Sequence, residues 1–184
     1  MYWFDAGESC SYNAHLLGKN LLSTRAIFIS HTHMDHIGGL PNLLWNIRKL
    51  SNVRKSGLLS PDQVIHIFIP DLSVWEGVMK ILKGTEGGFG INFSLEPCVL
   101  DEGTIFTEND FMVRALHNSH LGSTRLANGW KSFSFRIEAG GKAVVYSGDV
   151  GSIDEIASLI DPCDLLLMET GHHRVEDVCN YLKN

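Results

Sequence analysis

The segment Ser30-His31-Thr32-His33-Met34-Asp35-His36-Ile37-Gly38-Gly39 constrains this chain more than any other. It crowds four potential metal ligands, His31, His33, Asp35 and His36, into six residues. They follow Ala26-Ile27-Phe28-Ile29-Ser30 directly, a short apolar run of the kind found in a strand covered on both faces. In an extended chain, residues two apart point the same way, so His31 and His33 can reach one ion together. Asp35 and His36 fall where the chain turns toward a helix, where they can face a second ion. Imidazole nitrogen and carboxylate oxygen suit zinc, and also iron or manganese. Gly38 and Gly39 are expected to let the backbone turn tightly behind the ligands. A solvated, merely His-rich loop does not account for three His and one Asp at this spacing.

The surrounding pattern predicts an α/β layered domain with mixed sheets. A strand ends at Phe4, and Ile65-His66-Ile67-Phe68-Ile69 reads as another, closed by Pro70. Leu40, Leu43, Leu44, Ile47 and Leu50 keep helical spacing behind Pro41. Asp71 can cap a helix whose one face is Trp75, Val78, Met79 and Leu82. Strands are expected at 91–95, 111–116, 133–138 and 143–146, with Gly140-Gly141 as a hairpin turn between the last two. Ser152 and Glu155 read as a capping box opening a helix to about Ile160. A buried strand at 165–168 and a helix at about 175–182 follow.

At 184 residues the chain is about one domain long and can bury a core without staples. A hydrophobic fraction of 44% with 20% charged residues excludes disorder, and a net charge of −6 weighs against non-specific nucleic-acid binding. Cys10, Cys98, Cys163 and Cys179 form no C-x-x-C pair and read as reduced thiols. No signal peptide and no membrane-spanning run is apparent, so the expected location is cytoplasmic.

The H-x-H-x-D-H segment behind a strand resembles the signature of the metallo-β-lactamase fold superfamily. Phe4-Asp5-Ala6-Gly7 is similar to that family's first motif, an Asp-x-Gly that braces the metal loop. The run from Phe111 to His120 is similar to the strand that delivers the third His, and Ser147-Gly148-Asp149 to the motif that supplies a carboxylate between two ions. Leu167-Met168-Glu169 followed by His172-His173 resembles the ribonuclease Z-like and phosphodiesterase branch. The resemblance implies a metallo-β-lactamase-like αββα four-layer sandwich, a single domain over residues 1–184, shortened at both ends. It places His31, His33 and His120 on one ion and Asp35 and His36 on another, with Asp149 bridging. His117 competes with His120 for the third-ligand role, but it still lies in the strand pattern and reads as hydrogen-bonded nearby. His66 reads as a core or edge histidine, and His15 as a surface residue.

Two divalent ions are therefore expected, zinc by preference, with manganese or iron as alternatives. The family supplies one more His to the second ion from a strand near its C-terminus. No such strand follows the last helix here, so that site is expected to be only partly filled. The resemblance implies hydrolysis by a metal-bound hydroxide at a dinuclear site, most readily of a phosphodiester. Asp35 would orient or deprotonate the nucleophile, and His172, helped by Glu169, would protonate the leaving group or would instead ligate the second ion. A lactone, thioester or lactam substrate is the alternative, as is a metal-binding module without turnover. The expected substrate is small or nucleotide-like. Nucleic acid is not favoured, because the chain has no long Gly-Pro-rich arm of the type ribonuclease Z uses to grip transfer RNA. Arg48, Lys49, Arg54 and Lys55 read as a solvated helix end rather than a phosphate clamp. Exposed sheet edges suggest a homodimer.

Overall fold

The computed structural model describes residues 1–53, 59–127 and 129–183. The chain divides into two compact units, Met1–Val99 and Leu100–Asn184.

The first unit is a four-stranded parallel sheet in the order β1 (Tyr2–Phe4), β2 (Ala26–Phe28), β3 (Val64–Ile69), β4 (Ser94–Val99). Parallel neighbours need crossovers. These carry α1 (Cys10–Leu16), then α2 (Met34–Ile37) and α3 (Leu40–Arg48), then α4 (Leu72–Gly84). Side chains alternate along a strand. One face of the sheet (Ile27, Ile29, Ile65, Ile67, Ile69) thus packs with Leu40, Leu43, Leu44 and Ile47 of α3 and Trp75, Val78 and Leu82 of α4 into one core. The other face carries the stacked rings of Phe4, Phe28 and Phe68. Asp71 caps α4 as its sequence position suggests, accepting from the Ser73 N–H at 2.9 Å.

The second unit is a five-stranded sheet ordered β5 (Gly103–Glu108), β6 (Phe111–His117), β7 (Phe133–Ala139), β8 (Lys142–Tyr146), β9 (Leu165–Leu167). All pairs are antiparallel except β8 with β9. Gly140 and Gly141 turn the β7–β8 hairpin with φ of 56° and 71°, both in the left-handed region that a two-residue hairpin turn demands. Val145, Val150, Ile156 and Leu159 centre the core beneath α5 (Ala157–Ile160). The last helix is α6 (Val175–Tyr181).

Three expectations are corrected, and one strand is added. The strand expected at 91–95 runs Ser94–Val99. Strand β5 has no counterpart in the sequence reading, because a register shift between Thr104 and Phe106 breaks its alternation. The helix opened by Ser152 is a 3₁₀ turn, Ile153–Ile156, followed by the single-turn α5. Finally, β9 is an edge strand, with Leu165 and Leu167 about half exposed.

Candidate metal centre

The loop that carries His31, His33, Asp35 and His36 is held from behind by Asp5. This residue sits just past β1 with φ +60°, a conformation that Asp tolerates better than most residues. Its buried carboxylate accepts the Ser30 N–H at 2.6 Å and the Ser30 hydroxyl at 2.7 Å. The same oxygen that takes the hydroxyl lies 2.7 Å from His36 Nδ1. One carboxylate thus fixes the end of β2 and a histidine of α2, six residues apart in sequence. The backbone of the Asp-Ala-Gly turn is tied to the same loop, with Ala6 N–H donating to the His36 carbonyl and Gly39 N–H to the Ala6 carbonyl, both at 2.8 Å.

Glycine serves contact here rather than torsion. Gly38 and Gly39 have ordinary right-handed backbones. The tight turn expected of them therefore does not draw on the left-handed freedom of glycine. What they need is the absent side chain: a Cβ on Gly39 would collide with the Gly7 carbonyl oxygen, and one on Gly7 with the Asp35 carbonyl oxygen.

Held this way, His31 is fully buried and its Nε2 lies 3.1 Å from His33 Nδ1. The His31 and His36 rings are tilted together with centroids 4.0 Å apart. Asp35 projects outward with 78% of its side chain exposed, 3.6 Å from His36 Nε2. All four residues of the motif therefore gather at the C-terminal end of β2.

The second unit assembles its own cluster. His120 follows β6 on a short buried scaffold. Asn118 Oδ1 accepts the His120 N–H at 3.1 Å, and Asn118 Nδ2 donates to Ser134 at 3.0 Å. Ser134 in turn donates to the Ser147 carbonyl at 2.5 Å, two residues before Asp149. His120 Nε2 lies 3.6 Å and His172 Nδ1 3.7 Å from the same Asp149 oxygen. Glu169 holds the His172 N–H at 2.8 Å. Asp149, Glu169 and His172 each offer a ligand atom within 4.8 Å of the others. His173 instead points its Nε2 to the Val150 carbonyl at 3.0 Å.

Glu155 anchors this scaffold through the Ser119 hydroxyl, the Ser119 N–H at 3.1 Å and the Gly151 N–H at 3.3 Å. Burial pushes its carboxyl up, but the hydrogen bonds from Ser119, Gly151 and Ser152 outweigh it and hold the group below its ordinary value. Glu155 was read only as part of a helix cap, and Asn118 and Ser134, both beside strand ends, escaped the sequence reading. For Asn118 and Ser134 the only signal is a small polar residue at a strand end, which many turns share.

The donor chemistry fits divalent cations. The Glu169 Oε1 atom is buried and accepts no hydrogen bond among the described residues, though His172 Nδ1 and His173 Nε2 lie 3.3 and 3.4 Å away. A buried carboxylate oxygen left this way is costly unless a cation shares it. In the first unit, two imidazole nitrogens converge within ligand-to-ligand distance.

Other histidines are used differently. His117 stacks flat on Trp130, with centroids 3.6 Å apart, and its Nδ1 meets Glu102 at 2.7 Å. His15 is exposed in the last turn of α1. His66 is neither core nor edge, since it lies half-exposed on the central strand β3. Of the basic set, Arg48 donates to the Gly90 carbonyl at 3.0 Å and Lys49 lies over the Trp45 ring. Arg54 and Lys55 fall outside the described residues.

The profile of the family described as the beta-lactamase superfamily domain matches residues 3–178. The chain is 37% identical over 76 residues to the anti-Pycsar protein Apyc1 of Bacillus phage 010DV004, covering 41% of this chain and 27% of that protein. It is 29% identical over 141 residues to ribonuclease Z of Synechococcus sp. (strain CC9605), covering 75% of this chain and 39% of that protein. The chain thus spans well under half the length of these curated relatives. Among solved structures, the short form of human tRNase Z (ELAC1) superposes with a TM-score of 0.73 at 21% identity, covering 99% of this chain and 76% of that one.

Proposed function

This chain belongs to the beta-lactamase superfamily, and from that premise we propose that it hydrolyses a phosphodiester with the help of divalent metal ions. The observation that carries the proposal is the approach of His31 Nε2 and His33 Nδ1 to 3.1 Å beside a His36 aimed by Asp5. A ribonuclease, as the Synechococcus relative is named, cleaves a phosphodiester backbone, and this supports that substrate class.

In this reading, by the family resemblance, His31, His33 and His120 would hold one ion and Asp35 and His36 another, with Asp149 a ligand available to both. Zinc suits the nitrogen-rich first set. Such ions supply Lewis acidity toward a phosphoryl oxygen and lower the pKa of a coordinated water. The exposed Asp35 carboxylate orients the attacking water and takes its proton. His172 carries a proton to the departing oxygen as general acid. Glu169 positions it through the His172 N–H. His173, turned to a backbone carbonyl, takes no part.

Metal-loaded and chelated protein would be assayed on bis-p-nitrophenyl phosphate and on a lactone, a thioester and a lactam. Metal-dependent cleavage of the phosphodiester by wild type, lost in Asp149→Asn, is the expected result. Cleavage confined to the carboxyl-type substrates would move the assignment to them. Metal binding with no cleavage on either panel would make the chain a binding module.

A further inference from the structure

We infer that His66, Glu96 and Cys98 form a second metal site, selective for zinc-like ions, on the face of the β3–β4 pair that the α-helices leave uncovered. The parallel register sets His66 beside Glu96 and Phe68 beside Cys98. Paired residues share a face, and so do residues two apart on one strand. The three donors therefore occupy three corners of one patch, with Phe68 at the fourth. Their neighbours Ile65, Ile67 and Leu95 point the other way, into the helix-covered core.

A donor atom of each residue lies within 4.8 Å of the other two. Tetrahedral zinc at its usual bond lengths sets ligand atoms about 3.3–3.8 Å apart. His66 Nδ1 and Glu96 Oε2 are already 3.4 Å apart. The sheet fixes all three backbones, so only side-chain torsions remain to close the set. Side-chain exposure of 33% at His66 and 59% at Glu96 leaves an entry path and room for a water ligand. A nitrogen, an oxygen and a sulfur together suit a borderline ion, whereas calcium and magnesium take oxygen.

An ordinary surface His–Glu pair would need no sulfur beside it. Here burial first, and then the Glu96 charge, hold the Cys98 thiol above its usual range, a repulsion that a cation between them would relieve. The patch is separate from the H-x-H-x-D-H loop, because His66 is level with Ala26 in the sheet, five residues before His31.

Cobalt(II) titration of the whole chain tests this, read at the near-ultraviolet charge-transfer band that only thiolate-ligated cobalt gives. The ligand set around His31 contains no sulfur, so the band reports the new site whether or not the chain is a phosphodiesterase. Wild type should develop the band. Cys98→Ser should abolish it, while Cys10→Ser, Cys163→Ser and Cys179→Ser keep it. His66→Ala, at a half-exposed position, should weaken the cobalt affinity read at this band by about tenfold or more, since loss of even an outer partner has that effect. No band at saturating cobalt, a band unchanged in Cys98→Ser, or an unchanged affinity in His66→Ala would overturn the proposal.

Discussion

His36 Nδ1 lies 2.7 Å from Asp5 Oδ2. A carboxylate accepts, so the proton between them belongs on Nδ1, and the Nε2 lone pair is left for a cation. In the proposed site Asp5 thereby orients a ligand without being one. Asp5→Asn keeps a residue that tolerates the left-handed backbone, so the fold should survive. Metal affinity should fall about 10–100-fold, as for other partners that orient a ligand. Competition with a chromophoric chelator measures it, and an unchanged affinity would show that Asp5 only shapes the turn.

Close packing behind the loop separates two glycine substitutions. Gly39→Ala drives a methyl into the Gly7 carbonyl oxygen and should destabilise by about 1–3 kcal/mol or more. Gly77 lies inside α4 with open space around it. Gly77→Ala should stabilise by about 0.5–1 kcal/mol. Urea unfolding of the two variants should show midpoints moving in opposite directions. Similar shifts would mean that the loop can yield.

Glu155 ties its scaffold to acid sensitivity. Its carboxyl is held below its ordinary value when folded, despite the upward push of burial. The stabilisation is therefore present above the unfolded carboxyl value, about 4.3, and is lost as pH falls through the lower folded value. Glu155→Gln should be less stable than wild type at pH 7, and the gap should close in acid. Unfolding curves at a series of pH values test this, and a gap independent of pH would contradict it.

His172 and His173 are adjacent in sequence but differ in surroundings: the first faces Asp149, the second a backbone carbonyl. His172→Ala should slow cleavage of a diester with a poor alkoxide leaving group by about 10²–10⁴-fold. With p-nitrophenolate, which leaves unprotonated, the loss should be small. His173→Ala should change neither rate much. Equal losses on both substrates for His172→Ala would remove its role as proton donor.

Much of this was legible because it is local. The four candidate ligands between 31 and 36 share one strand end, and strand periodicity alone suggests that His31 and His33 point together. Asp71 capping and the Gly140-Gly141 turn are likewise decided within a few residues. What could not be read depends on distant register. Glu96 and Cys98 meet His66 only because β3 and β4 pair across thirty positions. The apolar run of β9 looks like a core strand, yet its place at the sheet edge leaves Leu165 and Leu167 half exposed. In β5 a bulge hid the alternation that would have marked it. Asn118 and Ser134 look like turn residues until the strands they link are in place.

The most direct test is the hydrolysis rate of bis-p-nitrophenyl phosphate by chelator-stripped protein as zinc or manganese is added back. The expected result is negligible activity in the stripped chain, recovery as metal binds, and no recovery in Asp149→Asn. Equal hydrolysis with and without metal, or saturated metal sites with no phosphodiester cleavage, would contradict the account.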